Sequence, residues 1–293
     1  MTVIRLGTLV STNWLREQLA SIHHNTNGIL RILDTSWLPK PGIDSYTEFY
    51  QKSHIPGSKH FDLNQCVQPM PLIPRNLPDP KCFTDYVQGL GISSDTHIIA
   101  YDRFNTRPSV RTWWLFRLYG HNRISVLDGG LKKWVENGYE VTDEEPEVKR
   151  GNFETRLNPN LLRDYDAMVD NVQTKREQIV DARDVPSFMG ETDLPPEIKS
   201  GHIPGARCIP FEDIFNPDGT FKSEKRSEEI QSIFDQAGID LGKPLVASCL
   251  AGLTACGLST AAHILGKEVV PVYYGSWIEW GQRADADLCV TGK

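Results

Sequence analysis

Apolar positions along this chain fall into short β-branched runs that alternate with stretches of helical spacing. Ile32-Leu33, Ile98-Ile99-Ala100, Ile179-Val180 and Leu245-Val246-Ala247 have the length and residue types of strands. Between such runs, Leu15, Leu19 and Ile22 keep one face of an early helix, with Ser11 or Thr12 placed to cap it. Ala255, Leu258, Ala262 and Leu265 do the same for a helix that begins just after Cys249. Strands alternating with helices imply parallel strands joined by helical crossovers, so the fold class is α/β.

The pattern occurs twice. Asp34 closes one apolar run and Asp181 another, 147 positions later. His-Ile-Pro-Gly stands at His54–Gly57 and again at His202–Gly205, and the run ending in Asp102 matches the run ending in Cys249. Val126-Leu127-Asp128-Gly129 with Trp134 matches Val272-Tyr273-Tyr274-Gly275 with Trp280. Four ordered landmarks at nearly constant spacing read as a duplicated unit. The stretch between the copies is rich in charge, Asn and Pro, the composition of a solvated linker. The expected organisation is residues 1–140 as one domain, 141–160 as linker and 161–293 as a second domain.

Length agrees, since 293 residues exceed one ordinary core and fit two. No apolar run approaches the roughly 18 residues of a membrane helix, so no membrane partner is expected. With 31 basic against 38 acidic residues the net charge is −7, and no basic block suggests nucleic acid. The first residues lack the pattern of a signal or transit peptide, which makes the cytoplasm the expected compartment. Six cysteines with no Cys-x-x-Cys spacing argue against a disulfide framework and against a zinc site, so free thiols are expected.

One of those thiols stands in a chemical position. The segment Val246-Ala247-Ser248-Cys249-Leu250-Ala251-Gly252-Leu253-Thr254-Ala255 reads as a buried strand, a short loop and a helix start. In open parallel sheets ligands bind at such strand ends, where backbone N–H groups and the helix terminus favour an anion. A cysteine placed there is biased toward thiolate and is a candidate nucleophile. Gly252 permits the tight backbone of a cradle loop, and Thr254 can cap the helix or bond the sulfur. A cysteine at a strand end is also a good small core residue, and that is the reading for Cys66, Cys82, Cys208, Cys256 and Cys289.

Two His-Ile-Pro-Gly turns, Cys249-x-x-Gly252-Leu253-Thr254-Ala255 and the closing Tyr274-Gly275-Ser276-Trp277-Ile278-Glu279-Trp280 together resemble the two-domain rhodanese-type sulfurtransferases, the thiosulfate and 3-mercaptopyruvate sulfurtransferases. The resemblance runs from about Leu9 to Arg283 and includes Arg111-Thr112-Trp113-Trp114 and Leu127-Asp128-Gly129-Gly130-Leu131. It implies two tandem rhodanese-like domains, each a mostly parallel sheet flanked by helices. It also implies ping-pong transfer of a sulfane sulfur from a small donor to a thiol or cyanide, through a persulfide on Cys249, with no metal or cofactor. A thioredoxin-like protein is the acceptor the family suggests. Asp102 occupies the nucleophile position of the first copy and cannot form a persulfide, so that domain is expected to be non-catalytic.

The resemblance assigns the binding loop to Leu250, Ala251, Gly252, Leu253 and Thr254, the donor's anionic group to Arg183, and a proton relay to His54 and Asp44. The chain departs from its relatives at the loop. Relatives that favour thiosulfate carry basic residues after the cysteine, and those that favour mercaptopyruvate carry a Ser two positions after it, where this chain has Leu250 and Ala251. Ser187 stands where a second arginine is expected. The donor is therefore not fixed by these residues. Two alternatives stand beside the enzyme: a Cys-dependent phosphatase, disfavoured because position 255 is Ala rather than Arg, and a catalytically weak binding or redox-sensing module using Cys249.

Overall fold

The computed structural model describes residues 6–22, 30–68, 70–222 and 227–292. The chain forms two compact units. Unit 1 comprises Met1–Val67, Pro78–Leu157 and Pro217–Thr220; unit 2 comprises Gln68–Leu77, Asn158–Asn216 and Phe221–Lys293.

Unit 1 contains strands β1 (Leu9–Val10), β2 (Leu30–Asp34), β3 (Ser58–His60), β4 (His97–Tyr101) and β5 (Ile124–Leu127). They form one sheet in the order β1-β5-β4-β2-β3, every pair parallel. Helices α1 (Thr12–Ile22), α2 (Pro80–Gly89) and α3 (Arg107–Leu118) make crossovers, and α4 (Gly130–Glu136) follows β5. Every residue of β4 is buried, as expected of a strand covered on both faces. Ser11 resolves the choice of cap for α1, because its hydroxyl accepts the Trp14 N–H at 3.2 Å. Leu15 of that helix packs with Val10, Ile32, Ile99, Tyr101, Leu127 and Trp134. The side chain of Ile22 lies outside the described residues.

Unit 2 repeats the plan. Strands β6 (Leu162–Arg163), β7 (Gln178–Asp181), β8 (Ala206–Cys208), β9 (Leu245–Ser248) and β10 (Val272–Tyr273) pair in parallel in the order β6-β10-β9-β7-β8. This is the first sheet's order element for element. Helices α5 (Tyr165–Thr174), α6 (Val185–Met189), α7 (Ser227–Gln236), α8 (Ala255–Ile264) and α9 (Ser276–Arg283) surround it. Met168, Ile179, Val246, Tyr273, Trp277 and Trp280 belong to one core cluster.

Two features were not anticipated. The polar stretch after Val141 is an ordered strap on unit 1: Thr142 exchanges both backbone hydrogen bonds with His54, Gly151 N–H donates to Gln88 O, and Phe153 N–H to Ile92 O. Its charged side chains meet solvent while its backbone is tied down. The expectation of six free thiols is corrected at Cys66 and Cys82, which form a disulfide. Sequence spacing carried no sign of it, because the pair is brought together by the turn into α2, where Asp79 N–H also donates to Cys66 O. Among the described residues no helix is long and apolar enough to cross a membrane.

Candidate active site

Cys249 directly follows β9, at the carboxyl end of the sheet, and the chain then turns through Leu250–Thr254 into α8. The loop turns sharply because Gly252 lies at φ +73°, and a Cβ there would meet Tyr274 O at 2.5 Å. This conformation brings the Gly252 N–H to 3.1 Å from Cys249 Sγ. The sulfur thus faces a backbone donor in the loop that leads into α8. Leu250 is 41% exposed at the loop's outer face, whereas Ala251 is 3% exposed. Thr254 occupies the position before α8 in helical geometry and makes no side-chain cap bond. Cys256 braces the loop from below, its Sγ donating to Gly252 O at 3.5 Å.

Ser276 was not singled out by sequence reasoning. Its hydroxyl accepts the N–H groups of Cys249 at 3.2 Å and Gly252 at 3.1 Å and donates to Tyr273 O at 2.7 Å. It thus ties the two ends of the cradle together 3.8 Å from Cys249 Sγ. Its backbone sits at φ +52°, a left-handed conformation that costs a non-glycine residue about 1 kcal/mol or more. The same place in unit 1 is held by Gly130 at φ +56°. Aligning the two copies residue by residue shows the signal, a serine where the backbone calls for glycine.

The remaining candidates are placed as follows. Arg183 is 6% exposed. Its Nε and Nη2 bind the Asp181 carboxylate, Nη2 also donates to Gly201 O, and Nη1 donates to Ser187 O. Four of its five N–H groups are therefore committed, and the guanidinium lies 4.7 Å from the centre of the Trp277 ring. Asp44 is exposed and accepts from Tyr46 N–H and from the Thr47 hydroxyl. His54 is fully buried, with Nδ1 2.7 Å from Tyr50 O and Nε2 3.1 Å from Glu144 O, and it stacks on the Tyr50 ring. The structure does not join Asp44 to His54. His202 repeats the arrangement in unit 2, with Nδ1 on Phe188 O at 2.8 Å and its ring stacked on Phe188. Both histidines thus lock the same turn.

Four of the other cysteines are poorly suited to nucleophilic work. Burial pushes Cys208 up to about 12 and raises Cys289 as well. Cys66 and Cys82 are bonded to each other.

Comparison with known proteins follows this geometry closely. The rhodanese-like domain family matches residues 13–137 and again 164–283. Thiosulfate sulfurtransferase of Gallus gallus is 40% identical over 285 residues, covering 97% of this chain and 96% of that protein. The 3-mercaptopyruvate sulfurtransferase of Homo sapiens is 38% identical over 280 residues, covering 94% and 92%. Among solved structures, SseA from Escherichia coli, described as a 3-mercaptopyruvate sulfotransferase, superposes with a TM-score of 0.80 at 28% identity, covering 93% of this chain and 99% of that one. A duplicated parallel sheet, a cysteine at the end of the second copy's central strand and relatives matched end to end agree: the chain belongs to the rhodanese-like family, with two such domains.

Proposed function

We propose that this protein is a sulfurtransferase of the thiosulfate and 3-mercaptopyruvate type, working through a persulfide on Cys249. The observation that carries the proposal is the Gly252 N–H directed at Cys249 Sγ in a strand-loop-helix turn. The Cys249 thiolate attacks the donor's outer sulfur. A sulfur–sulfur bond forms as the bond to the donor breaks, and its electron pair leaves on the donor fragment. An acceptor thiolate or cyanide then attacks the outer sulfur and releases the Cys249 thiolate. Net oxidation state is conserved, so the cycle requires no outside oxidant.

In this reading Leu250–Thr254 form the floor on which the donor rests. Arg183 supports the Trp277 side of the site and has one Nη1–H left for an anion. The expected relay of His54 and Asp44 takes no part, since each is occupied by other groups. A thioredoxin-like dithiol is the proposed protein acceptor, because a second thiol would release the transferred sulfur as sulfide.

The test is intact-protein mass spectrometry after incubation with thiosulfate or 3-mercaptopyruvate, followed by thiocyanate release with cyanide. One added sulfur that disappears in Cys249→Ser, together with turnover, supports the enzyme. Oxidation of Cys249 with neither sulfur loading nor turnover would instead identify a redox-sensing module.

A further inference from the structure

Unit 1 has an aspartate in place of the nucleophilic cysteine, yet it carries a sulfur pair of its own, the Cys66–Cys82 disulfide. The two sulfurs differ in access. Cys66 is half-buried, whereas Cys82, in the first turn of α2, is exposed. Cys66 also stands at φ +66°, a left-handed backbone that costs a non-glycine residue about 1 kcal/mol or more, so the bond ties down a residue that gains by release.

Cys82 lines a cleft of about 550 Å3 formed wholly by residues of unit 1, which is room for a small molecule. The charges around it do not balance. Lys59 is paired with Glu145, and Arg150 with Asp85. Asp44 and Asp62 line the same cleft and have no cationic partner among the described residues. Asp44 accepts from Tyr46 N–H and the Thr47 hydroxyl, and Asp62 accepts from Asn64 N–H.

His60, also in the lining, adds no compensating charge at neutral pH. Burial pushes its pKa below the usual value, although Asp34, Asp62, Asp44 and Glu145 oppose the fall. Its Nε2 is buried without a hydrogen-bond partner. Tyr46 and Tyr86 complete the aromatic part of the wall. Two unpaired carboxylates beside aromatic rings suit an ammonium group, and a ligand that carries a carboxylate meets repulsion there.

We propose that this cleft is a thiol-exchange site, in which a small thiol bearing a positive charge is attracted by Asp44 and Asp62 and attacks Cys82 Sγ. A sulfur–sulfur bond forms between the incoming thiolate and Cys82, the Cys66–Cys82 bond breaks, and its electron pair leaves on Cys66 as a thiolate. A second molecule of the thiol, as thiolate, attacks the added sulfur and releases Cys82 as a thiolate with a symmetrical small disulfide. That disulfide reoxidises the pair by the reverse steps. No other oxidant or reductant enters, and Cys249 takes no part.

The test uses cysteamine, 2-mercaptoethanol and 3-mercaptopropionate, thiols that carry a positive, no and a negative second group. Exchange is quenched with acid, free thiols are blocked with N-ethylmaleimide, and the Cys66 and Cys82 peptides are read by mass spectrometry, apart from Cys249. Comparing wild type with Asp44→Asn/Asp62→Asn for each thiol cancels the thiol's intrinsic reactivity. The double variant is expected to slow cysteamine about five-fold, to hold 2-mercaptoethanol within about two-fold and to speed 3-mercaptopropionate. In wild type the first adduct should sit on Cys82, and the cysteamine preference should shrink in about 1 M salt. An equal change with all three thiols would overturn the proposal, as would a first adduct on Cys66. So would slower exchange with cysteamine in the folded protein than in the urea-unfolded chain, which would make the disulfide a structural staple. Should the double variant not fold, Cys66→Ser leaves Cys82 free for capture by cystamine or by 3,3′-dithiodipropionate. A cystamine preference that salt removes supports the site, and a ratio insensitive to salt overturns it.

Discussion

The two copies of one loop hold two different groups. In unit 1, Asp102 follows β4 as Cys249 follows β9, and its carboxylate is satisfied by the loop and the first turn of α3. Oδ1 accepts the N–H groups of Phe104 at 2.6 Å and Thr106 at 3.1 Å, and Oδ2 accepts that of Ser109 at 2.9 Å. Asn105 and Thr106 both stand at positive φ, the backbone form that turns successive N–H groups onto an anion. Burial raises the Asp102 pKa while these bonds oppose the rise. In unit 2, Gly252 takes the positive φ of Asn105, and its N–H meets a single sulfur atom. The closing contact is shared: Leu131 N–H reaches Asp102 O at 3.0 Å, and Trp277 N–H reaches Cys249 O at 2.9 Å. One loop geometry thus holds a carboxylate in one copy and a thiol in the other, and the proposed function assigns reactivity to the thiol alone.

The largest effect should come from the group that distinguishes the copies. Cys249→Ser is expected to abolish sulfur loading and turnover, because a serine hydroxyl is far less acidic and cannot form a persulfide. Its melting temperature should change little. Residual turnover above about one part in a thousand would mean another thiol does the work.

Asp102→Ala should do the reverse. Three amides, two of them buried, lose their acceptor, with an expected loss of about 3 kcal/mol measured by urea unfolding. Sulfur loading of the protein that remains folded should stay near wild type. Loss of loading without loss of stability would show that the clasp is part of the reaction.

Ser276→Ala tests the tie that unit 2 has and unit 1 lacks. It leaves the N–H groups of Cys249 and Gly252 without their hydroxyl and keeps a side chain at φ +52°. A destabilisation of about 1–2 kcal/mol is expected, together with sulfur loading slowed about ten-fold. Ser276→Gly relieves the backbone and should recover stability but not rate.

A further contrast is in acid. His97 is buried against the Ser125 hydroxyl at 2.9 Å, and desolvation lowers it to about 4, with the nearby Arg123 and His121 adding to the effect. His60 and His121 of unit 1 are lowered by burial too, as is His202 of unit 2. A histidine depressed in the fold stabilises above its unfolded pKa of about 6.5, and that stability is lost as pH falls toward the folded value. Unit 1 should therefore weaken by about 2 kcal/mol or more between pH 6.5 and 4. Hydrogen exchange resolved by unit should show it opening before unit 2, and His97→Gln should flatten the dependence.

Much of the architecture was legible in residue patterns. The apolar runs at Ile98–Ala100 and Leu245–Ala247 became the central strands β4 and β9, because a strand covered on both faces needs an unbroken apolar run. The matched landmarks became two sheets of identical order. Cys249 stood out because its counterpart is an aspartate and its loop enters a helix. Other parts were illegible for physical reasons. Arg183 looked like an anion ligand, yet its geometry relative to Asp181 and Gly201 decides where its N–H groups go. The polar stretch after Val141 looked like a linker, since composition reports exposed side chains and says nothing of backbone partners.

By itself, then, the sequence determined the duplicated α/β plan, the strand-loop-helix turn at Cys249 and the aspartate, Asp102, that stands at the matching place in the first copy. These follow from short-range periodicity and from residue identity at aligned positions. Only the tertiary structure decided that Ser276 ties the cradle from 27 residues away, that Cys66 bonds Cys82 across 16, and that Arg75 reaches Ala251 across 176. Such contacts are set by the packing of whole elements, which no local pattern encodes.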